Sequence, residues 1–164
     1  MNESLEVRVR RLEDLHELQQ LRARYCQLLD DGKWAALADL FTEDGAFVGL
    51  STASGRPGLI EFFSGLQAGE LSAWWHFSSN ETLELDGDRA TGQTWLYQPC
   101  VIAGEAHVAA GRYADIMVRG DDGRWRFEER KVTFFWWVPA NQGWDRGAFG
   151  YPPAAQARDA GHVG

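Results

Sequence analysis

The sequence has few cysteines, few basic residues and no long apolar run, and each shortage excludes a class of protein. Its 2 cysteines, Cys26 and Cys100, form no CxxC or other metal-binding spacing, so buried thiols are expected rather than a disulfide or a zinc site. Lysine and arginine total 16 against 24 acidic residues, and the net charge of -8 disfavours nucleic acid and anionic membranes as partners. No segment is long and apolar enough to span a membrane, and the N-terminus lacks a signal-peptide core, which predicts a soluble, cytoplasmic protein.

Several catalytic motifs are missing as well. We find no nucleophile arrangement, no cluster of metal ligands and no phosphate-binding loop, because the GRPG at residues 55–58 is too short to surround a phosphate. The chemistry is therefore expected to need no cofactor and no metal. What the chain does have is aromatic residues, with 8 tryptophans and 9 phenylalanines. Most of them are expected in the core, and others can line a cavity for a small hydrophobic molecule.

Hydrophobic periodicity divides the chain into helices followed by long strands. Three- and four-residue spacing predicts a first helix up to residue 29, and two shorter helices are predicted at residues 33–41 and 56–66, with a short strand at residues 46–50. Two-residue alternation then predicts strands at residues 75–85, 90–99, 107–119 and 124–137. This order indicates an α+β fold with helices on one face of a curved antiparallel sheet. We expect one domain over residues 1–138 and a Gly/Pro/Ala-rich tail over residues 139–164, which can cover a pocket through Trp144 and Phe149.

Three segments together resemble a known family. They are RYCQLLDDGKWAALADLFTEDGAF, HFSSNETLELDGDRATGQTWLY and GRYADIMVRGDDGRWRFEER, and the resemblance spans residues 12–131. They resemble the SnoaL-like branch of the nuclear transport factor 2-like superfamily, closest in pattern to scytalone dehydratase and bile-acid 7α-dehydratase. The resemblance implies a cone-shaped roll of strongly curved sheet and N-terminal helices around a hydrophobic pocket. It also implies a homo-oligomer, dimer or trimer, formed through the convex face of the sheet.

The same resemblance implies three catalytic residues. The catalytic aspartate falls on Asp30, with Asp31 as the neighbouring alternative, and the catalytic histidine falls on His76. The tyrosine that binds or protonates the substrate falls on Tyr25. A second histidine of scytalone dehydratase is replaced by Cys100, although His107 is close in sequence and can take its place.

Asp30 and His76 also suit acid–base chemistry on general grounds. Imidazole gains and loses a proton near neutral pH, and a neighbouring carboxylate fixes its tautomer and orientation. In this hypothesis Asp30 orients His76, which takes a proton from the substrate and then returns it to the leaving group. Tyr25 continues the apolar stripe of the first helix, so its hydroxyl needs a partner that a substrate oxygen can supply.

Other candidates for substrate binding come from strand alternation. Arg112 shares a face with apolar residues, and a charge on such a face is expected either to bind a ligand or to pair with an acidic residue of a helix. Lys131 shares a face with Trp125 and Phe127 by the same count, with Glu129 as a possible ion-pair partner. Trp95 and Tyr97 are two further aromatic candidates. Alternation alone does not decide whether they line the pocket or lie on the outer surface of the sheet.

Three functions remain open at this stage. The first is a cofactor-independent lyase of the dehydratase type that acts on a small hydrophobic, aromatic or polycyclic substrate. The second is an isomerase or polyketide-cyclase-type enzyme, in which the product has the same mass as the substrate. The third is a ligand-binding module without chemistry, which predicts a filled cavity and an Asp30–His76 separation beyond hydrogen-bond distance.

Overall fold

The helices and long strands occur in the predicted order. The computed structural model describes residues 3–69 and 71–150. Its elements are α1 (Leu5–Asp30), α2 (Trp34–Ala38), β1 (Phe41–Val48), β2 (Thr52–Ser54), α3 (Gly55–Ala68), β3 (Leu71–Trp74), β4 (Phe77–Asp86), β5 (Arg89–Ile102), β6 (Glu105–Arg119) and β7 (Trp125–Pro139). The α+β class is confirmed. None of the helices in the described part of the chain has the length and apolarity of a membrane span.

The strands form one curled, mixed sheet. Its order is β2-β1-β7-β6-β5-β3, and β4 also pairs with β5. The long strands β5, β6 and β7 are antiparallel, as predicted. Strand β1, in contrast, runs parallel to β7. No short turn joins these two strands, so the turn rules that predicted the antiparallel pairs say nothing about their direction.

Helix α1 packs an apolar stripe against the inner face of the sheet. It begins after Ser4, whose hydroxyl accepts a hydrogen bond from the Val7 N–H at 3.3 Å, a typical N-terminal cap. The predicted stripe started at Leu12, but this side chain is 66% exposed, because the first turns of the helix extend beyond the core. The apolar side chains of α1 that are buried are Leu18, Leu21, Tyr25, Cys26 and Leu29.

A break between β3 and β4 lies beside the end of α1. Trp74 of β3 pairs with Cys100, and Phe77 of β4 pairs with Tyr97, so both strands share β5 as their partner. The two residues between them belong to neither strand, and one of them is His76. The break therefore brings this histidine close to the last turn of α1.

A β-bulge in β7 changes which of its residues face the interior. Opposite β6 the register shifts between Ile116 and Met117, where Glu129 and Phe127 are their partners, so Glu128 is the extra residue. Phe127 is buried before the bulge, and Arg130 is buried after it. The alternation that placed Lys131 on the face of Phe127 is therefore wrong, and Lys131 is exposed.

Candidate active site

The Asp30 carboxylate and the His76 imidazole meet where α1 ends. Oδ1 of Asp30 lies 2.5 Å from Nδ1 of His76, and Oδ2 accepts a hydrogen bond from the His76 backbone N–H at 3.0 Å. An ionised carboxylate can only accept hydrogen bonds, so Nδ1 carries a hydrogen, and in the neutral imidazole Nε2 then has the lone pair. The His76 side chain is only 6% exposed, and its Nε2 is hydrogen-bonded to no other residue that the structure describes. The pair has the geometry of an oriented base.

Contacts around the pair hold the last turn of α1 against β3. The indole N–H of Trp74 donates to the Leu29 carbonyl at 3.1 Å, and the Gly32 N–H donates to the same carbonyl at 3.3 Å. The Trp74 ring also meets the His76 ring edge-on, with 6.4 Å between centroids. Asp31, the alternative in the sequence, is exposed and caps the helix through its backbone N–H. Asp30 is thus the carboxylate that faces His76.

His76 lines a cavity of about 420 Å³ inside the curl of the sheet. Eight aromatic residues share its wall, as the aromatic content of the sequence indicated; they are Tyr25, Phe47, Phe62, Phe63, Trp74, Tyr113, Phe134 and Trp137. The polar side chains in the wall besides His76 and the two tyrosines are those of Ser51 and Gln98. No Asp, Glu, Lys or Arg side chain of the described residues lines it, so the cavity suits an uncharged, mostly apolar molecule.

Tyr25 lies in this wall, where the resemblance placed it. Its ring packs edge-on against Tyr113 and three phenylalanines. The side chain is fully buried, and within the described part of the chain its hydroxyl has no hydrogen-bond partner. Burial raises the pKa of Tyr25, so the phenol stays protonated and can serve as a hydrogen-bond donor.

A buried charge cluster that the sequence analysis missed lies behind Tyr25. The guanidinium carbon of Arg130, which is fully buried, is 4.1 Å from the ring centroid of Tyr25 and 3.9 Å from that of Tyr113. Asp115 stands between two arginines: Oδ1 lies 3.6 Å from Nε of Arg130, and Oδ2 lies 3.0 Å from Nε of Arg22. Each buried charge therefore has an opposite charge beside it.

Part of this cluster left a signal in the sequence. Asp115 interrupts the buried face of β6 between Tyr113 and Met117, and a carboxylate in that position needs a cation. The sequence gives no such indication for Arg130, because the alternation of apolar and polar residues in β7 does not reveal the bulge that turns Arg130 inward. Burial raises the pKa of Asp115, and the positive charges of Arg130 and Arg22 act against that shift.

Three residues expected near the substrate lie instead on the outer face of the sheet. Trp95 and Tyr97 are 41% and 46% exposed, whereas the residues beside them in β5 are buried. The guanidinium carbon of Arg112 lies 5.8 Å from the ring centroids of both Trp95 and Phe135. The apolar face of β6 that carries Arg112 is the outer one, and the alternate face, with Tyr113, points inward. The expectation that Trp95, Tyr97 and Arg112 line the cavity is therefore wrong.

Lys131 and His107 also lie outside the cavity wall. The bulge at Glu128 turns Lys131 outward, so Lys131 is exposed. The expected contact between Lys131 and the substrate is therefore wrong. His107 is buried and pairs with Cys100 across β5 and β6, and its Nδ1 lies 3.0 Å from the Glu105 carbonyl oxygen. It therefore does not replace the second histidine of scytalone dehydratase within the cavity.

The segment after β7 does not cover the cavity as far as residue 150. Trp144 stacks on Trp136, with 5.6 Å between ring centroids and an interplanar angle of 12°. Phe149 forms a bridge to Trp137. Neither Trp144 nor Phe149 belongs to the cavity wall. The remainder of the predicted tail, residues 151–164, lies outside the described residues.

Comparisons with known proteins agree with this architecture. The SnoaL-like domain model matches residues 10–131. Uncharacterized protein Rv2910c of Mycobacterium tuberculosis is 30% identical over 131 residues, which cover 76% of this chain and 88% of that protein. An NTF2-like protein with a cystatin-like fold from Novosphingobium aromaticivorans has a TM-score of 0.65 and 27% identity, and the match covers 94% of both chains. A hexachlorocyclohexane dehydrochlorinase, LinA type 2, has a TM-score of 0.75 and 19% identity over 87% of this chain and 96% of that one.

Proposed function

Since the chain belongs to the SnoaL-like domain family, we propose that its cavity is the active site of a cofactor-independent lyase. The substrate is a small, uncharged, hydrophobic ring compound, and the reaction is an elimination of the dehydratase type. The observation that carries the proposal is the 2.5 Å contact between Asp30 and His76, with the imidazole facing an apolar cavity. A binding module without chemistry predicts a filled cavity and a separated pair, and neither fits this geometry.

His76 acts as the base in the proposed reaction. Its Nε2 lone pair takes a proton from a carbon of the substrate, and the resulting imidazolium is stabilised by the Asp30 carboxylate. The same proton then protonates the leaving group, which departs as water. The apolar wall lowers the local dielectric constant, which strengthens the attraction between imidazolium and carboxylate.

Tyr25 assists as a hydrogen-bond donor. Its phenol is held protonated by burial and lacks a partner among the described residues. The hydroxyl oxygen has almost no exposed surface, so a small shift of the cavity wall brings it within reach of a substrate oxygen that accepts its hydrogen bond. The nearby positive charge of Arg130 makes the phenol a better donor, because it stabilises negative charge that forms on the phenol oxygen.

Elimination is favoured over isomerisation by one comparison. A neighbour of the same fold is named a dehydrochlorinase, and that name describes the loss of a small group. A thermal-shift screen of aromatic and steroid-like compounds, followed by mass spectrometry of the products, tests the proposal. A product lighter than its substrate by one water supports the lyase. A product of unchanged mass supports the isomerase or cyclase instead.

Replacing Tyr25 with phenylalanine is expected to lower kcat about tenfold without lowering stability. The variant loses only a hydroxyl that makes no hydrogen bond to the described residues, so the free energy of unfolding stays the same or rises. Steady-state kinetics and urea unfolding measure the two effects. Tyr97→Phe is the matched control, because Tyr97 lies on the outer face and its loss of a hydroxyl leaves kcat unchanged. Unchanged kcat in the Tyr25 variant would remove Tyr25 from the mechanism.

We also propose that the outer face of the sheet joins copies of this chain. Phe77 and Tyr97 are cross-strand partners on this face, and Trp95 lies beside them with Arg112 over its ring. Phe77 is 60% exposed, and an aromatic patch of this kind is typical of a protein interface. Arg112, which lies over the Trp95 ring, also suits an interface, where arginine is enriched alongside aromatic residues.

Sedimentation velocity is expected to show a dimer or trimer of the 18.4 kDa chain. The double variant Trp95→Glu/Tyr97→Glu is expected to sediment as a monomer, because it places like charges opposite each other in the interface. Leu12→Glu is the control: Leu12 is also exposed, but it lies on α1, away from the sheet face, and its change leaves the mass unaltered. A wild-type chain that remains monomeric at tens of micromolar contradicts the proposal.

A further inference from the structure

Gln98 is a buried polar side chain in the cavity wall, and none of the described residues is its hydrogen-bond partner. It lies on the inner face of β5, is 3% exposed and lines the cavity. Its amide makes no hydrogen bond to another residue within the described ranges 3–69 and 71–150. Thr94, on the same face of β5, shows the usual arrangement, since its hydroxyl donates to the Ser79 carbonyl at 2.9 Å. A buried amide normally finds such a partner, so the Gln98 amide is free to bind a polar group inside the cavity.

The register of the sheet places Gln98 beside the base. The pairs Trp74–Cys100 and Phe77–Tyr97 lie on either side of His76 and Gln98. Directly opposed residues of neighbouring strands have Cβ atoms about 4.5–5.5 Å apart. Both side chains line the cavity, so an amide and a base face the same part of its interior.

We infer that Gln98 binds the carbonyl oxygen of a ketone substrate and so selects for a carbonyl next to the carbon that His76 deprotonates. This inference rests on the proposed function of the Asp30–His76 pair. Gln98 carries an uncharged donor, and no charged side chain of the described residues lines the cavity. The matching ligand is therefore a neutral ring ketone rather than a carboxylate or a plain hydrocarbon.

The donor position matches the movement of electrons in the reaction. Nε2 of His76 takes the proton from the carbon next to the carbonyl, and the C–H electron pair forms a new carbon–carbon double bond. The carbonyl electron pair moves to oxygen, where the Gln98 NH₂ group donates a hydrogen bond to the developing negative charge. When the carbonyl reforms, a β-hydroxyl leaves and receives the proton from His76, so the products are an unsaturated ketone and water. No oxidant or reductant is needed.

A matched pair of ligands tests the carbonyl contact. 2-Tetralone and tetralin share their bicyclic carbon skeleton, and only the first has a carbonyl, so isothermal titration calorimetry of both isolates the effect of that group. The wild-type protein is expected to bind 2-tetralone about tenfold more tightly, the contribution of one hydrogen bond in a buried site. Gln98→Leu, of similar size, is expected to lose this preference and to bind tetralin at least as tightly as the wild type does.

The carbonyl stretching frequency gives a readout that a structural role of Gln98 does not change. In infrared spectra of ¹³C-carbonyl-labelled 2-tetralone, a hydrogen bond lowers the frequency relative to that in hexane. We expect the lowered frequency with wild-type protein and the hexane-like value with Gln98→Leu, or with Gln98→Met should the leucine variant not fold. Equal affinities of the wild type for both ligands, including no binding of either, overturn the inference. So does a leucine variant that keeps the preference for the ketone.

Proton exchange separates this inference from the proposed function. In D₂O the α-protons of 2-tetralone are expected to exchange faster with wild-type protein than in buffer, and His76→Ala is expected to remove the acceleration. A ketone preference without accelerated exchange leaves the Gln98 contact in place and contradicts the proposed acid–base role. Accelerated exchange without a ketone preference supports the proposed acid–base role and contradicts the Gln98 contact.

Discussion

Replacing His76 with alanine is expected to lower turnover by about 10²- to 10⁴-fold and to leave the fold intact. The substitution removes Nε2, and no carboxylate or amine of the described residues lines the cavity to replace it as a base. The backbone N–H of residue 76 keeps its hydrogen bond to Asp30, so the junction of α1 with the sheet is preserved. Turnover is measured on the compound selected by the thermal-shift screen, and circular dichroism with urea unfolding reports on the fold.

Asp30→Asn tests the orientation of the imidazole and is expected to lower turnover at least 10²-fold. The His76 backbone N–H is a donor, so the amide oxygen of the new side chain must face it. The amide NH₂ then points at Nδ1 and donates to it, which moves the ring hydrogen to Nε2. The nitrogen that faces the cavity then no longer has a lone pair to accept a proton.

Asp31→Asn is the matched control for this prediction. Asp31 is the next residue along the chain and also has a carboxylate, but it is exposed, and the carboxylate bonded to His76 is that of Asp30. The control variant is expected to keep wild-type turnover, because only the carboxylate next to the imidazole matters. Equal losses in the two variants would point to a general effect of charge and contradict the role of Asp30. Normal turnover in His76→Ala would exclude the whole mechanism.

Sequence reasoning found the pair because the pair depends on local features. The end of α1 is readable from its apolar stripe and from Gly32, which takes a positive φ of 67° there. The position of His76 is readable from the start of the strand that ends in the DGD turn. The resemblance to the SnoaL-like family then assigned both Asp30 and His76 to one catalytic site, although they are far apart in the chain. In the structure their side chains are 2.5 Å apart.

The remaining cavity residues depend on sheet geometry, which the sequence does not show directly. A single bulge at Glu128 reverses the alternation of β7, exposes Lys131 and buries Arg130. The outer face of β5 and β6 carries aromatic and apolar residues like the inner face, so composition alone could not place Trp95 or Arg112. Alternation shows that two sets of residues lie on opposite faces, but only the direction of curl decides which set is inside.

Replacing Asp115 with asparagine is expected to lower the free energy of unfolding by about 3–5 kcal/mol. Asp115 lies between Arg130, whose side chain is fully buried, and Arg22, whose side chain is only 3% exposed. Removing the carboxylate leaves the buried Arg130 without a counter-ion among the described residues and leaves Arg22 with only the partly exposed Glu81, 3.4 Å away. Asparagine keeps the size of the side chain, so the loss reports charge rather than a cavity. Urea unfolding measures the difference.

Two further variants show whether the loss of stability comes from buried positive charge that Asp115 no longer balances. Asp122→Asn removes a carboxylate from an exposed pair with Arg126 and is expected to change stability hardly at all. The triple variant Arg22→Met/Asp115→Leu/Arg130→Met removes every charge of the cluster and is expected to be more stable than Asp115→Asn alone, because no buried charge is left unpaired. A triple variant less stable than the single one would mean that the ion pairs themselves contribute the stability. In that case the charge cluster behind Tyr25 would make a net favourable contribution to the free energy of unfolding.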